Sequence, residues 1–259
     1  MDEQASHKKL RSAIGVLRRS WEYGSSNPTL AIVLGALILA ALAGTWRLVD
    51  SLGASPGDQP PAVTSSPDWG PPRRIYHCTE TNLCGGGNHV SLDSTINDPS
   101  FGDERFFLAA KIEGDVGGVE DSLAIEPGDD LIVRMTVVND AEARAVGRPE
   151  LVARRVRASL ELPREAAEEL KLVGWVSARN ASPKQVFDSL GLHSDSPVKL
   201  HLIDGSTLLI NKAHPHGMAL PNTLTGEGVT LGFDRLDGRL GVCLCETGSV
   251  IARLVITAA

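Results

Sequence analysis

The chain has 259 residues, enough for one large domain or two small ones. Hydrophobic residues make up 42% of it and aromatic residues only 4%, so a folded core must be built mainly from Val, Leu, Ile and Ala. The formal net charge of −7 at pH 7 argues against a nucleic-acid-binding protein.

The first 49 residues predict a membrane anchor. Residues 1–28 form a stub with five basic and three acidic side chains, and the segment from Leu30 to Trp46 contains no charged residue. With its flanking residues this segment approaches the length of about 20 residues that crosses a bilayer. We therefore assign residues 1–28 to a cytoplasmic basic stub and residues 29–49 to a transmembrane helix. A signal peptide cleaved near Ala43 is the alternative, although signal cores usually have only about 7–15 apolar residues.

The charge distribution predicts the orientation. The five basic residues of the stub all precede the helix, which favours a cytoplasmic N-terminus. The residues from position 50 onward include 19 basic and 29 acidic side chains. We expect a single-pass protein of the cell membrane with its C-terminal domain outside the cytoplasm. The membrane is then one partner, and a cell-envelope component or a protein is a further possible ligand.

The segment that follows the helix predicts a spacer. Pro, Ser, Gly and Asp dominate residues 50–72, and no hydrophobic period is present. We assign residues 50–74 to an extended stalk and residues 75–259 to the extracytoplasmic domain.

From Ile75 onward, short apolar runs alternate with turn residues, as in β-strands. Between Arg155 and Leu162, apolar and polar residues alternate with a period of two. Only Pro163–Lys171 predicts a helical turn. The other predicted strands are Phe106–Ile112, Asp130–Val138, Leu172–Ala178, Val186–Leu190, Val198–Ile203, Thr207–Ile210, Val229–Phe233, Gly241–Cys245 and Val250–Ile256. This spacing predicts an all-β domain, an antiparallel sandwich of the immunoglobulin-like kind, preceded by one transmembrane helix.

The order of motifs in residues 92–257 resembles a family of bacterial surface proteins, the conserved repeat domain of unknown function with an immunoglobulin-like β-sandwich. In that family a Pro-Gly-Asp turn opens a strand that ends in Asn, and a Gly-Ser segment later leads to an Asn-x-x-His-Pro-x-Gly loop. The matching positions are Pro127, Gly128, Asp129, Asn139, Gly205, Ser206, Asn211, His214, Pro215 and Gly217. The resemblance implies a fold and a surface location and carries no catalytic residue. The chain departs from the pattern by the insertion at residues 141–155 and by having a single copy.

Two histidines, His214 and His216, raise the possibility of a metal site. Such sites need a third and a fourth ligand, and the other histidines are scattered along the sequence. We therefore favour a structural loop that includes Asn211, in which Pro215 fixes φ, Gly217 permits a turn, and His214 hydrogen-bonds the loop backbone. No metal or other cofactor is predicted.

The four cysteines, Cys78, Cys84, Cys243 and Cys245, all follow the membrane segment, so we expect disulfides. Cys78 could pair with Cys84, or with one of the two cysteines near the C-terminus, and the long-range pairing is slightly favoured. Reduced thiols and a zinc site are the alternatives left open.

No catalytic motif is present, and the sequence does not predict an enzyme. The acidic motifs "DERFF" and "EPGDD" could hold calcium, but a solvated acidic face is the simpler interpretation. We expect non-catalytic recognition or scaffolding at the cell envelope through an exposed strand edge or the loops Glu142–Val152 and Ala213–Gly226. The alternatives are an envelope enzyme or accessory subunit with a metal site near His214 and His216, and a transmembrane signalling or secretion component.

Overall fold

The computed structural model describes residues 68–78, 86–142, 147–242 and 246–259. The predicted stub, the predicted membrane helix, most of the predicted stalk and three of the four cysteines lie outside these ranges. Within them, no helix is long and apolar enough to cross a membrane.

The described part of the chain is all-β, and its only described helical element is a 3-10 turn at Pro149–Leu151. The strands are β1 (Trp69–Gly70), β2 (Tyr76–His77), β3 (Thr95–Ile96), β4 (Leu108–Ile112), β5 (Ser122–Ala124), β6 (Asp130–Val137), β7 (Ala153–Arg154), β8 (Arg157–Glu161), β9 (Ala167–Ser177), β10 (Gln185–Leu202), β11 (Leu208–Asn211), β12 (Met218–Ala219), β13 (Val229–Thr230), β14 (Arg239–Leu240) and β15 (Gly248–Ala258). The predicted all-β class is therefore confirmed.

Eleven of the strands form one sheet, in which nearly all pairs are antiparallel. Its main path runs β12-β11-β15-β10-β9-β8-β13, and β6 lies beside β15 with β4 beyond it. Burial alternates along the strands with the period of two that the sequence shows. In β15, for example, Val250, Ala252, Leu254 and Ile256 are buried, and the residues between them are half-buried.

Strand β10 is 18 residues long, which allows it to pair with several other strands of the sheet. One of its edges pairs with β9, and the other pairs in turn with β1, with β5 in parallel orientation, and with β15. The two strands predicted at Val186–Leu190 and Val198–Ile203 are thus parts of one strand. A register shift between His193 and Val198 marks the place where the sequence suggested a break.

Strand β9 also approaches strands to which it is not hydrogen-bonded. A Cβ added at Gly174 would lie 3.2 Å from the Met135 side chain of β6 and 3.4 Å from the Leu108 side chain of β4. Leu108 and Met135 belong to one buried hydrophobic cluster that also includes Leu172 and Val176 of β9. A glycine at position 174 allows this close approach.

The predicted helix at Pro163–Lys171 is wrong. Residues from Ala167 onward belong to β9, where Leu170 pairs with Leu192 of β10 and continues the buried alternation to Leu172. The local preference of Glu, Ala and Leu for helix is overridden by hydrogen bonding to β10 and by burial of Leu170.

The folded region begins earlier than the predicted boundary at residue 75. Trp69 and Gly70, inside the segment assigned to the stalk, pair with Asp188 and Phe187 of β10. Phe187 also contacts Trp175 at 5.1 Å between ring centroids. The end of the predicted stalk is therefore a strand of the domain.

Candidate functional site

An open groove of about 510 Å³ lies where β1, β5, β9 and β10 meet. Its lining residues are Asp68, Phe106, Asp121, Ser122, Glu169, Leu170, Lys171, Ser189 and Gly191. Ser189 Oγ donates a hydrogen bond of 2.8 Å to the Asp68 carbonyl, and Lys171 Nζ lies 3.2 Å from Asp68 Oδ1. These two contacts hold Asp68, the residue before β1, against β9 and β10 along one wall of the groove.

A stack of two arginines on one tryptophan stands beside the groove. The Trp69 ring centroid lies 4.6 Å from the guanidinium carbon of Arg105 and 5.3 Å from that of Arg73. Arg105 also lies 5.9 Å from the ring of Phe106, whose exposure of 39% is unusual for a large hydrophobic side chain. Asp68 and Phe106, which line the groove, are the sequence neighbours of Trp69 and Arg105. Partly exposed aromatic and arginine side chains are the types enriched at protein interfaces.

Asp103 holds Arg105 in place. Arg105 Nε donates to Asp103 Oδ1 at 2.8 Å, and Nη2 donates to Oδ2 at 2.5 Å. Burial alone would raise the pKa of Asp103, but the hydrogen bonds from Arg105 outweigh it and lower that pKa. The guanidinium is thereby ordered against Trp69, which reduces the conformational entropy that a ligand contact would cost.

A second open groove of about 640 Å³ shares Glu169 with the first. Its ionisable lining residues are Asp115, Glu126, Asp129, Glu169, Asp195 and His193. His193 Nδ1 lies 3.5 Å from Glu169 Oε2, a contact that becomes an ion pair only when the imidazole is protonated. Carboxyl groups therefore predominate over basic groups along both grooves.

Asp188 lies fully buried behind β1. Its Oδ2 accepts a hydrogen bond of 2.7 Å from the Leu108 backbone N–H, and its Oδ1 accepts one of 2.8 Å from the Ser189 N–H. Burial raises the pKa of Asp188 to about 7, although both backbone hydrogen bonds favour the ionised form. The side chain joins β10 to β4 beside the groove.

A buried polar cluster lies next to the arginine–tryptophan stack and comprises Asp93, Ser94, Thr95, Glu104 and Asp140. Asp140 Oδ2 accepts from the Ser94 N–H at 2.5 Å, and its Oδ1 accepts from Thr95 Oγ1 at 2.7 Å. Glu104 Oε2 accepts from the Thr95 N–H at 3.2 Å. Two carboxyl groups thus hold the same dipeptide.

Asp93 has left-handed backbone geometry, with a φ of 45°. Its N–H donates to the Val138 carbonyl at 3.2 Å, and its Oδ1 accepts from the Val138 N–H at 2.9 Å. Burial, together with the nearby Asp140 charge, raises the pKa of Asp93 well above its usual value. Asp93 therefore joins the segment before β3 to the end of β6.

Arg73 connects this cluster to the surface. Its Nε donates to Ser94 Oγ at 3.0 Å and its Nη2 donates to the Asp93 carbonyl at 2.5 Å, while the guanidinium stacks on Trp69. Burial lowers the pKa of Arg73, opposed by the charges of Asp93 and Asp140. The surface stack and the buried cluster therefore share one side chain.

The residues predicted for a structural loop lie elsewhere in the fold. Asn211 Oδ1 accepts from the His214 N–H at 2.9 Å, and Asn211 Nδ2 donates to the Phe233 carbonyl at 2.8 Å. The His214 Nε2 atom lies 3.0 Å from the Asp234 carbonyl oxygen. Gly217, after Pro215, has a φ of 88° and would place a Cβ 3.1 Å from Leu208. Among the described residues, no group of three or more His, Cys, Asp and Glu side chains is arranged to hold a metal ion.

Cys78 is disulfide-bonded, and its partner lies outside the described residues. Which of Cys84, Cys243 and Cys245 pairs with it stays a prediction.

The two acidic motifs, "DERFF" and "EPGDD", differ in the solvent exposure of their carboxyl groups. Glu126 is exposed and Asp129 is half-exposed, as expected for a solvated face, whereas Glu104 of "DERFF" is buried. Sequence analysis missed Glu104, Asp93, Asp140 and Asp188 as buried groups. The one available signal was at Asp188, because an aspartate that interrupts "VFDSLGL" inside an apolar strand is unusual.

No protein-family model matches the chain, and neither a curated protein nor a solved structure matches it.

Proposed function

We propose that this chain is a membrane-anchored, extracytoplasmic recognition module of the cell envelope that binds a cationic polypeptide segment without catalysing a reaction. The observation that carries the proposal is the pair of open grooves joined at Glu169, beside the Arg73–Trp69–Arg105 stack. The anchor, the orientation and the resemblance to bacterial surface proteins rest on the sequence.

We further propose that the domain is an immunoglobulin-like sandwich. Its two layers would be β4, β6, β15 and β11 on one side and β13, β8, β9 and the first half of β10 on the other. The approach of Gly174 in β9 to Leu108 and Met135 supports this arrangement, because these residues are not on hydrogen-bonded neighbours. The grooves then lie along the outer strands and loops where such domains bind partners.

Charge complementarity favours a cationic ligand. Asp68, Asp121 and Glu169 line the first groove, and Lys171, the one cation among its described lining residues, is already paired with Asp68. The second groove adds further carboxylates. Phe106 and Trp69 offer apolar contact area, so a basic segment with interspersed apolar residues fits the site better than an acidic one.

The binding proposal is tested with the purified full-length chain in detergent. Fluorescence anisotropy would compare a labelled peptide of alternating Lys and Leu with a matched peptide of alternating Glu and Leu. We expect only the basic peptide to bind. Glu169→Gln and Phe106→Ala should each weaken its binding about tenfold, which corresponds to a loss of about 1.4 kcal/mol of binding free energy, as expected for a residue at the centre of an interface. Higher salt should weaken the binding further, because exposed charges are screened.

A matched control removes one exposed carboxylate elsewhere. Glu227, near β13, is exposed and lines neither groove, so Glu227→Gln should leave the affinity unchanged. Equal binding of the two peptides, or an equal effect of Glu169→Gln and Glu227→Gln, would refute the groove as the recognition site.

The anchor has a separate test. A reporter enzyme that is active only outside the cytoplasm, fused after Ala259, should be active in cells, and its activity should be lost when residues 29–49 are deleted. A second reporter that is active only in the cytoplasm should give the opposite result. Cytoplasmic activity of the C-terminal fusion would refute the proposed location while leaving peptide binding in vitro unaffected.

A further inference from the structure

Glu104 and Asp140, here called the carboxyl pair, are bound to the same residue inside the fold. Glu104 is 3% exposed and Asp140 is 2% exposed, and both accept hydrogen bonds from Thr95: Glu104 Oε2 from its N–H at 3.2 Å and Asp140 Oδ1 from its hydroxyl at 2.7 Å. Two ionised carboxylates are acceptors only, so a hydrogen bond between the members of the pair requires a proton on one of them. Glu104 Oε1 is buried with no hydrogen-bond partner among the described residues, which leaves it available for that proton.

The surroundings of the carboxyl pair supply little positive charge. Neither member forms an ion pair with a described basic side chain. Arg73 is the cation that acts on Asp140, but its N–H groups donate to Ser94 Oγ and to the carbonyls of Gly70, Pro71 and Asp93. The other ionisable groups coupled to the pair are Asp93, itself buried, and Tyr76, whose hydroxyl is buried without a hydrogen-bond partner among the described residues. Asp188 and Arg105 act on Arg73, and Arg74 acts on Tyr76.

We propose that Glu104 and Asp140 share one proton at neutral pH, and that this proton is a built-in alkaline-sensitive latch for the Ser94–Thr95 segment. Both carboxyl groups accept hydrogen bonds from this segment, and β3, which begins at Thr95, pairs with β2. Removing the proton places two negative charges side by side in a buried site, and their repulsion opposes the arrangement that holds Ser94 and Thr95. The latch is independent of the groove ligand proposed above.

The latch predicts an unusual pH dependence of stability. Burial raises the pKa of both Glu104 and Asp140, and the Asp140 charge raises that of Glu104 further, so the folded chain binds a proton that the unfolded chain has lost above about pH 4.3. Stability therefore falls as pH rises from there until the folded pair itself ionises. One additional bound proton corresponds to a tenfold change in the folding equilibrium constant for each pH unit.

The test compares the pH dependence of unfolding of the purified full-length chain with that of Glu104→Gln. The amide oxygen of the introduced glutamine can accept from the Thr95 N–H, and its NH₂ group can donate permanently to Asp140. Between pH 8 and pH 9 we expect the folding equilibrium constant of the wild type to fall about tenfold more than that of the variant. Asp140→Asn should give the same result, and Glu168→Gln, at an exposed site, should retain the wild-type slope.

Infrared spectroscopy of the wild type keeps the proposal testable if the variants do not fold. At pH 9 the carbonyl band of a protonated carboxylic acid should be present both in the wild type and in Asp93→Asn, in which Asp93 cannot contribute to it, and the band should be weaker in any folded variant of the pair. Absence of the band overturns the proposal, as does a slope that Glu104→Gln leaves unchanged. Stabilisation of the wild type but not of Glu104→Gln by added Ca²⁺ would also overturn it, because the pair would then hold a cation.

Discussion

Replacing Asp93 with Ala is expected to leave the chain about 3 kcal/mol less stable than replacing it with Asn. Asn tolerates the left-handed backbone at this position and retains an acceptor for the buried Val138 N–H, whereas Ala provides neither. Both variants lack the ionisable carboxyl group, so the comparison with Asn cancels the effect of removing it. Chemical denaturation at pH 7 measures both variants.

Two further measurements separate the effect of the left-handed backbone from the effect of the lost hydrogen bond. Asn97 has a φ of 61° but is exposed, so Asn97→Ala should show the backbone effect alone, at about 1 kcal/mol. Asp93→Asn should itself be more stable than the wild type at neutral and higher pH, because burial raises the pKa of Asp93 and ionisation of this carboxyl therefore favours the unfolded chain. Equal stability of Asp93→Ala and Asp93→Asn would contradict the assigned hydrogen bond to Val138.

Loss of the Asn139 side chain is the second change with a large expected effect. Asn139 Nδ2 donates to the buried carbonyls of Leu151 and Leu240, at 2.9 Å and 3.1 Å. Asn139→Ala removes this donor from both carbonyls, and we expect a loss of about 3 kcal/mol of unfolding free energy, measured by denaturant titration.

An exposed asparagine whose side chain also donates to a backbone carbonyl provides the control. Asn180 donates to the Val152 carbonyl at 2.9 Å and accepts from the Arg154 N–H at 2.8 Å, but water can replace it. Asn180→Ala should therefore cost no more than about 1 kcal/mol. If the two alanine variants were equally stable, burial would not be the source of the Asn139 effect.

Local patterns predicted most of the sheet. Asp130–Val138 was predicted and β6 is Asp130–Val137, because the run "LIVRMTVV" is flanked by a turn and carries side chains suited to a pleated surface. The Pro-Gly-Asp turn before it contains Gly128 with a φ of 100°. The wrong predictions lie where pairing with another strand determined the secondary structure. Examples are the N-terminal half of β9, predicted as a helical turn, and β10, predicted as two separate strands.

The candidate site could not be predicted in the same way. Its parts come from Asp68 and Trp69, from residues 103–106, from β5 and from the β9–β10 pair, which are separated by up to 123 positions along the chain, from Asp68 to Gly191. Charge alone did not reveal that Glu104 is buried while its neighbour Asp103 binds Arg105 near the surface. The pairing of β1, β5 and β9 with β10 brings the parts of the site together.

The position of β1 determines which shortened forms of the protein are worth preparing. A fragment beginning at residue 75, where composition first suggests folded structure, would lack Trp69 and Arg73 and would expose the backbone of Phe187 and Asp188 on an open strand edge. Such edges promote aggregation by pairing with other chains. A soluble fragment for crystallisation should instead retain Asp68 and several residues before it.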